Sequence, residues 1–176
     1  IGQGELLVTP IQLANLSATI ANRGYYFTPH IVKAINGEPI QDTNFTVPKY
    51  TTVEPKYFDP IVEGMFGVYE DTDGTAYWSR IDGIEICGKT GTAENPHGQD
   101  HSIFIAFAPK DNPKIALSIF VENGYWGSRW AAPMASLIIE KHLRDSISKP
   151  AMEKSMLEGS LKEEYEKQAH KIREER

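Results

Sequence analysis

Along Gly88-Lys89-Thr90-Gly91-Thr92-Ala93-Glu94 a cation, two hydroxyls and a residue without a side chain follow one another, entered from the apolar run Ile84-Glu85-Ile86-Cys87. Side chains on a strand face alternate ways, so Lys89 and Gly91 share one face while Thr90 and Thr92 share the other. Gly91 lacks the Cβ that would keep a ligand off the backbone. An ammonium, hydroxyls and approachable amides together suit the capture of an anionic substrate.

Two chemistries fit these letters. From Gly83 to Thr90 the chain matches G-x-x-x-x-G-K-[ST], the phosphate-cradling loop of nucleotide-binding proteins. Such a loop follows a buried strand and opens a helix whose amides face the phosphates. Here Asp73, Gly74, Ser79, Arg80 and Asp82 precede it, and its interior is apolar and β-branched, as in a strand. Gly91, Asn95, Pro96 and Gly98 would break a following helix within its first turns, so the context argues against nucleotide binding. The other reading takes Lys-Thr-Gly as one of the signature elements of serine β-lactamases and penicillin-binding proteins.

More of the chain agrees with the second reading. Ile1-Gly2-Gln3-Gly4 and Val8-Thr9-Pro10-Ile11-Gln12-Leu13-Ala14 come first. The motif follows, then Ser102-Ile103-Phe104-Ile105-Ala106-Phe107-Ala108-Pro109, Val121-Glu122-Asn123-Gly124 and a closing amphipathic segment. In that order these resemble the C-terminal part of the transpeptidase domain of a class B penicillin-binding protein, over about residues 1–145. Ala93-Glu94-Asn95-Pro96-His97-Gly98 and Asp100-His101-Ser102 most resemble the elongation-type branch.

The resemblance implies a partial transpeptidase fold, α+β, with an antiparallel sheet and a C-terminal helix on one face. It implies that Lys89 supplies positive charge near the substrate carboxylate and the proton-transfer network. The Thr92 backbone N–H would stabilise the oxyanion, Thr90 and Thr92 hydroxyls would bond the carboxylate, and Gly91 would admit a D-alanyl-D-alanine terminus or a β-lactam. It further implies an acyl-serine D,D-transpeptidase of cell-wall synthesis, working with the elongation machinery at the periplasmic side of the bacterial inner membrane. No metal or organic cofactor is required.

Two elements of that machinery are missing from this sequence. The nucleophile motif S-x-x-K occurs only as Ser146-Ile147-Ser148-Lys149, after the last core segment and running into Pro150, and no S-x-N follows. The chain therefore reads as one wall of an active site whose serine and membrane anchor lie upstream, and alone it is expected to be inactive. A fold fragment that serves only as an interaction surface is the alternative.

Composition sets outer bounds. The chain has 176 residues, 40% of them hydrophobic, enough for one core. Its formal charge is −6 with no basic block, which argues against nucleic acid. The single cysteine, Cys87, reads as a buried packing residue. No apolar run approaches the roughly 18 residues needed to cross a bilayer.

The positioning elements follow from local pattern. Thr9, Pro10 and Gln12 write a capped helix start, with Val8 and Leu13 as its staple and Gly24 as its stop. A strand is expected over 25–35, turning at Asn36-Gly37, followed by a loop or weak hairpin over 38–54. A helix is expected over about 57–69, a break at 71–74, and an ambiguous short helix around Tyr77 and Trp78. Three strands follow near 84–94, 102–108 and 114–122, the last two joined by a turn over 109–113.

A helix over 130–143 would cover the sheet with Met134, Leu137, Ile138 and Leu143. His97 and His101 fall in a segment too rich in Asn, Pro and Gly for a helical metal pair. Glu94 reads as a strand-end carboxylate, and Trp126 and Trp130 as cover for the sheet and helix end. The charged residues 146–176 read as a solvated, partly helical or disordered tail. Strand 114–122 is expected to present an unpaired apolar edge through which the chain self-associates.

Overall fold

The computed structural model describes residues 3–163, 165 and 166. Helix α1 (Pro10–Ala21) begins where its capping box places it, with the Gln12 side chain accepting from the Thr9 backbone N–H at 2.8 Å and from its hydroxyl at 3.1 Å. The helix ends on Arg23 and Gly24, both at positive φ.

The strand expected over 25–35 is not formed. Strand β1 (Tyr25–Tyr26) is two residues long, and the chain then leaves the extended ladder until β2 (Ala34–Ile35). Pro29 has no N–H to give a ladder, and this excursion lies at the surface, so no buried face holds it flat. Asn36 and Gly37, at φ 52° and 85°, turn β2 into β3 (Glu38–Pro39), as the Asn-Gly pair predicts. A one-turn helix, α2 (Thr43–Thr46), follows, capped by Asp42, and then β4 (Lys49–Tyr50) pairs back on β1.

A 3-10 turn (Pro55–Tyr57) leads into α3 (Asp59–Glu70), whose Val62, Met65 and Tyr69 are buried at helical spacing. The ambiguous segment resolves as a second 3-10 turn, Tyr77–Ser79.

The centre is a three-stranded antiparallel sheet in the order β5 (Cys87–Ala93), β6 (His101–Ala108), β7 (Ile115–Val121). Register pairs Lys89 with Ile105, Thr90 with Phe104 and Thr92 with Ser102. Partners in an antiparallel pair share a face. One face therefore carries Gly88, Thr90, Thr92, Ser102, Phe104 and Ala106, and the other Cys87, Lys89, Gly91, Ile103, Ile105 and Phe107. Helix α4 (Ala131–Arg144) packs on the first face. Helix α1 lies on the opposite face, making three layers, where the sequence places it beside the sheet.

Helix α3 lies against the start of β5 and joins both cores. Its Val62 and Met65 pack with Cys87 and Phe107, and its Tyr69 with Phe104.

The sheet-facing side of α4 differs from the expected one. Ala131, Ala132, Ala135, Ser136 and Ile139 are fully buried, while Ile138 is 46% exposed. Small side chains let the helix axis approach the sheet closely, and this rotates the larger ones outward. Met134, Leu137 and Ile138 instead line an apolar groove of about 680 Å³ with Ile119, Met156 and Leu157.

Helix α5 (Pro150–Glu158) forms the other wall of that groove. It is tied back through the Ser148 N–H, which donates to the buried Glu140 at 3.0 Å. Further on, the Tyr165 hydroxyl donates to the Asn123 carbonyl and its ring meets Tyr125, so the tail folds back as far as Tyr165 instead of trailing into solvent. The expected tail beyond residue 166 lies outside the described residues. No helix among the described residues is long and apolar enough to cross a membrane.

Candidate active-site wall

Strand β5 is one of the two outer strands of its sheet, and its burial changes along its length. Cys87 and Gly88 are fully covered where α3 crosses, whereas Lys89 and Thr92 are exposed and Thr90 and Gly91 are half-buried. The covered start fixes the strand, and the open end presents Lys89, Thr90, Gly91 and Thr92 to whatever approaches.

The four residues sit together as the sequence places them, with alternating faces. The Lys89 ammonium donates to the Thr90 carbonyl at 2.7 Å. The Thr90 hydroxyl lies 3.2 Å from that of Thr75. Sequence reasoning does not single out Thr75, because the pattern around Tyr77 and Trp78 is ambiguous. Its signal was the Gly74-Thr75 pair just beyond the end of α3, where a turn must bring the chain back along β5.

The glycines divide by cause. A Cβ on Gly91 would meet nothing nearer than the Ile103 Cβ at 3.3 Å, a contact a small shift absorbs, so internal packing does not strictly demand glycine there. A bare residue 91 leaves that face of the strand unobstructed. Gly88 is different, since a Cβ there would run into the rings of Phe104 and Tyr69. Gly127 is also demanded, because a Cβ would meet the backbone of Gly91 and Ile103.

The segment 123–130 therefore lies directly over β5 and β6 on the Thr90 and Thr92 face. Fully buried Ser102 pins it, donating to the Trp126 carbonyl at 2.9 Å and accepting from the Ala131 N–H at 3.2 Å. The Asn123 N–H donates to His101 Nδ1 at 3.0 Å, and Asn95 Nδ2 donates to the Asn123 side-chain oxygen at 3.0 Å. His101 thus fastens a loop, while His97 lies in the exposed turn beyond β5. Trp130 is buried at the head of α4, as expected, but Trp126 is 66% exposed and covers no sheet.

Glu94 is exposed, and its N–H donates to the Gln3 side chain at 2.9 Å. The N-terminal segment thereby borders the open end of β5. Leu6, Leu7, Val8 and Leu13 line an apolar cavity of about 390 Å³ with Ala93, Ile103 and Phe120 on the Lys89 face.

Cys87 is wholly buried, and that burial pushes its thiol up to about 12, which leaves it protonated and unreactive at neutral pH. The phosphate-loop reading fails on geometry, because Cys87 to Ala93 form a strand and no helix follows. Among the described residues no group of three or more His, Cys, Asp or Glu is gathered to hold a metal.

An antiparallel sheet between two helical layers, with Lys-Thr-Gly on its open outer strand, defines a class that comparison with known proteins also gives. The family model for the penicillin binding protein transpeptidase domain matches residues 1–140, and the chain belongs to that family. Within it, the chain is of the PBP2/MrdA type of class B proteins. It is 31% identical to the peptidoglycan D,D-transpeptidase MrdA of Haemophilus influenzae, over 98% of this chain and 29% of that protein. It is 34% identical to the peptidoglycan D,D-transpeptidase PbpA of Mycolicibacterium smegmatis, over 82% of this chain and 31% of that one.

Among solved structures, Pseudomonas aeruginosa PBP2 in complex with WCK 5153 superposes with a TM-score of 0.73 at 38% identity, over 83% of this chain and 32% of that one. The imipenem acyl-enzyme of penicillin-binding protein A from M. tuberculosis gives 0.67 at 34%, covering 82% of this chain and 33% of the other. The chain thus spans about three-tenths of the length of the relatives it matches.

Proposed function

We propose that this chain is the Lys-Thr-Gly wall of a peptidoglycan D,D-transpeptidase that works through an acyl-serine. The observation that carries the reading is the open end of β5, where Lys89, Thr90, Gly91 and Thr92 stand exposed or half-exposed on a strand held rigidly from behind. In an antiparallel pair every second residue of the outer strand turns its N–H and carbonyl away from its neighbour. The Thr90 carbonyl accepts from the Lys89 ammonium on the exposed side, and Thr92 shares its parity. An outward Thr92 N–H is an oxyanion donor fixed before reaction, which is where such a donor gains most.

In this reading a serine from elsewhere in the protein attacks the carbonyl between the last two D-alanines of a stem peptide. Charge grows on the carbonyl oxygen toward the Thr92 N–H, the terminal D-alanine leaves, and an amine of a second stem peptide then displaces the serine. Thr90 and Thr92 hydroxyls hold the terminal carboxylate, or that of a β-lactam, with Lys89 adding positive charge. The cradle is all hydrogen bonds and charge, so no cofactor is needed.

The relatives support the ligands and setting: β-lactam acyl-enzymes are known for one, and a complex of PBP2 with MreC from Helicobacter pylori for another. The whole protein would act with the elongation machinery at the periplasmic side of the inner membrane, held by an anchor outside this segment.

The test is acylation of the full-length protein by a fluorescent penicillin, followed under denaturing conditions. A stable covalent label that is competed by D-alanyl-D-alanine peptides supports the reading. A folded protein that takes no label leaves only an interaction module.

A further inference from the structure

The geometry points to Thr75 as a positioning residue that orders the Thr90 hydroxyl so that its single proton is aimed at the substrate carboxylate. This inference rests on the transpeptidase reading above and goes beyond it, because Thr75 lies outside the Lys-Thr-Gly motif and on a different element.

The two hydroxyl oxygens are 3.2 Å apart. A threonine hydroxyl has one proton and can accept through its oxygen, so in such a pair one group donates and the other is left with a proton to give elsewhere. If Thr90 donates to a carboxylate, the Thr75 proton points at the Thr90 oxygen. Each bond in that chain polarises the next, strengthening the outer one. Without Thr75, the Thr90 hydroxyl is free to rotate among several acceptors and must be oriented at the moment of binding.

Thr75 is held for this task by a tight turn against the end of α3. The Gly74 N–H donates to the Asp71 carbonyl at 2.8 Å, and that of Ala76, which is buried, to the Val68 carbonyl at 2.9 Å. A Cβ on Gly74 would lie 2.6 Å from both the Gly67 and Val68 carbonyl oxygens, so the backbone there already touches the end of α3. Helix α3 is locked to α4 through the Tyr69 hydroxyl, 3.0 Å from that of Ser136, and to the sheet through the Tyr69 and Phe104 rings. Thr75 itself is exposed, so its hydroxyl carries no packing role.

The experiment uses the full-length enzyme and two penicillins, one with its free carboxylate and its methyl ester. Noncovalent affinity and acylation rate are measured separately for the parent, Thr75→Val, Thr75→Ser, Thr90→Val and the Thr75→Val/Thr90→Val pair. Thr75→Val is expected to weaken affinity for the acid roughly five- to twentyfold, the worth of one hydrogen bond in a chain ending on an anion. The ester should be unaffected, Thr75→Ser should restore the parent value within about twofold, and the double variant should be no weaker than Thr90→Val alone.

Equal losses for acid and ester, or additive losses in the double variant, overturn the inference in favour of a structural role. Loss of acid affinity in Thr90→Val with none in Thr75→Val overturns it while leaving the transpeptidase reading intact. A parent that neither penicillin acylates overturns both.

Discussion

The ring of Tyr69 stands edge-on to that of Phe104, with centroids 5.7 Å apart at 86°, and Gly88 fits into the angle between them. This packing joins α3 to the sheet one residue before Lys89. An edge-to-face pair of this kind contributes about 0.5–1.5 kcal/mol beyond the area it buries.

Gly88→Ala would force a methyl group into both rings, and overpacking of this kind costs about 1–3 kcal/mol. Thermal unfolding should show a clearly lowered midpoint. Gly91→Ala is expected to unfold near the parent temperature while slowing acylation by β-lactams in the full-length enzyme. Equal destabilisation by both would mean that residue 91 is glycine for packing.

Lys89 is exposed, and its ammonium donates to its neighbour's carbonyl, so it contributes little to folding. Lys89→Ala in the full-length enzyme should lower the acylation rate about 10²-fold or more, with stability changed by less than about 0.5 kcal/mol. The measurement is stopped-flow acylation alongside a denaturant melt. A folded variant that acylates at the parent rate removes Lys89 from the site.

The chain of 176 residues by itself should take no covalent label from a fluorescent penicillin, since its single S-x-x-K runs from Ser146 to Lys149, after the last core helix and directly into α5. A stable label that vanishes in Ser146→Ala would make that serine the nucleophile.

Cys87 offers a pH test with a defined sign. Burial raises its thiol from about 9 to about 12, so the folded state keeps its proton where the unfolded state gives it up. The resulting stabilisation is complete below about pH 9 and is lost as the pH rises from there toward 12. Relative to Cys87→Ala, the native chain should lose stability more steeply across that window. Its thiol should react with a disulfide reagent at pH 8 only under unfolding conditions. Rapid reaction of the folded chain would place Cys87 at the surface.

Strand β7 has a neighbour on one side only among the described residues, and none of its residues is fully buried. With Ile115, Leu117 and Ile119 along an edge free of charge, the isolated chain should self-associate through that strand. Sedimentation over a wide concentration range should show the mass rising, and amide exchange along 115–121 slowing with it. Monomer throughout, with those amides already slow, would mean the edge is covered from within the chain.

The local elements were legible because their causes are local. Thr9, Pro10 and Gln12 satisfy the amides at the start of α1 from within four residues, and the Asn36-Gly37 turn needs only its own dihedral freedom. The Lys89 to Thr92 array was legible too, because strand alternation alone sets which side chains share a face. The strand expected over 25–35 failed because a strand is stabilised by its neighbours, and there the chain has no buried face and Pro29 has no donor.

The side of α4 that meets the sheet was misjudged for a related reason. Hydrophobicity marks Met134, Leu137 and Ile138, but close approach selects Ala131, Ala135 and Ser136, and only the distance between helix and sheet decides which wins. Thr75 shows the limit most plainly. Its own stretch of sequence marks a turn at Gly74-Thr75 and no more, because its meaning lies in the 3.2 Å between its hydroxyl and that of Thr90, fifteen residues on, a distance set by how α3 docks against the sheet.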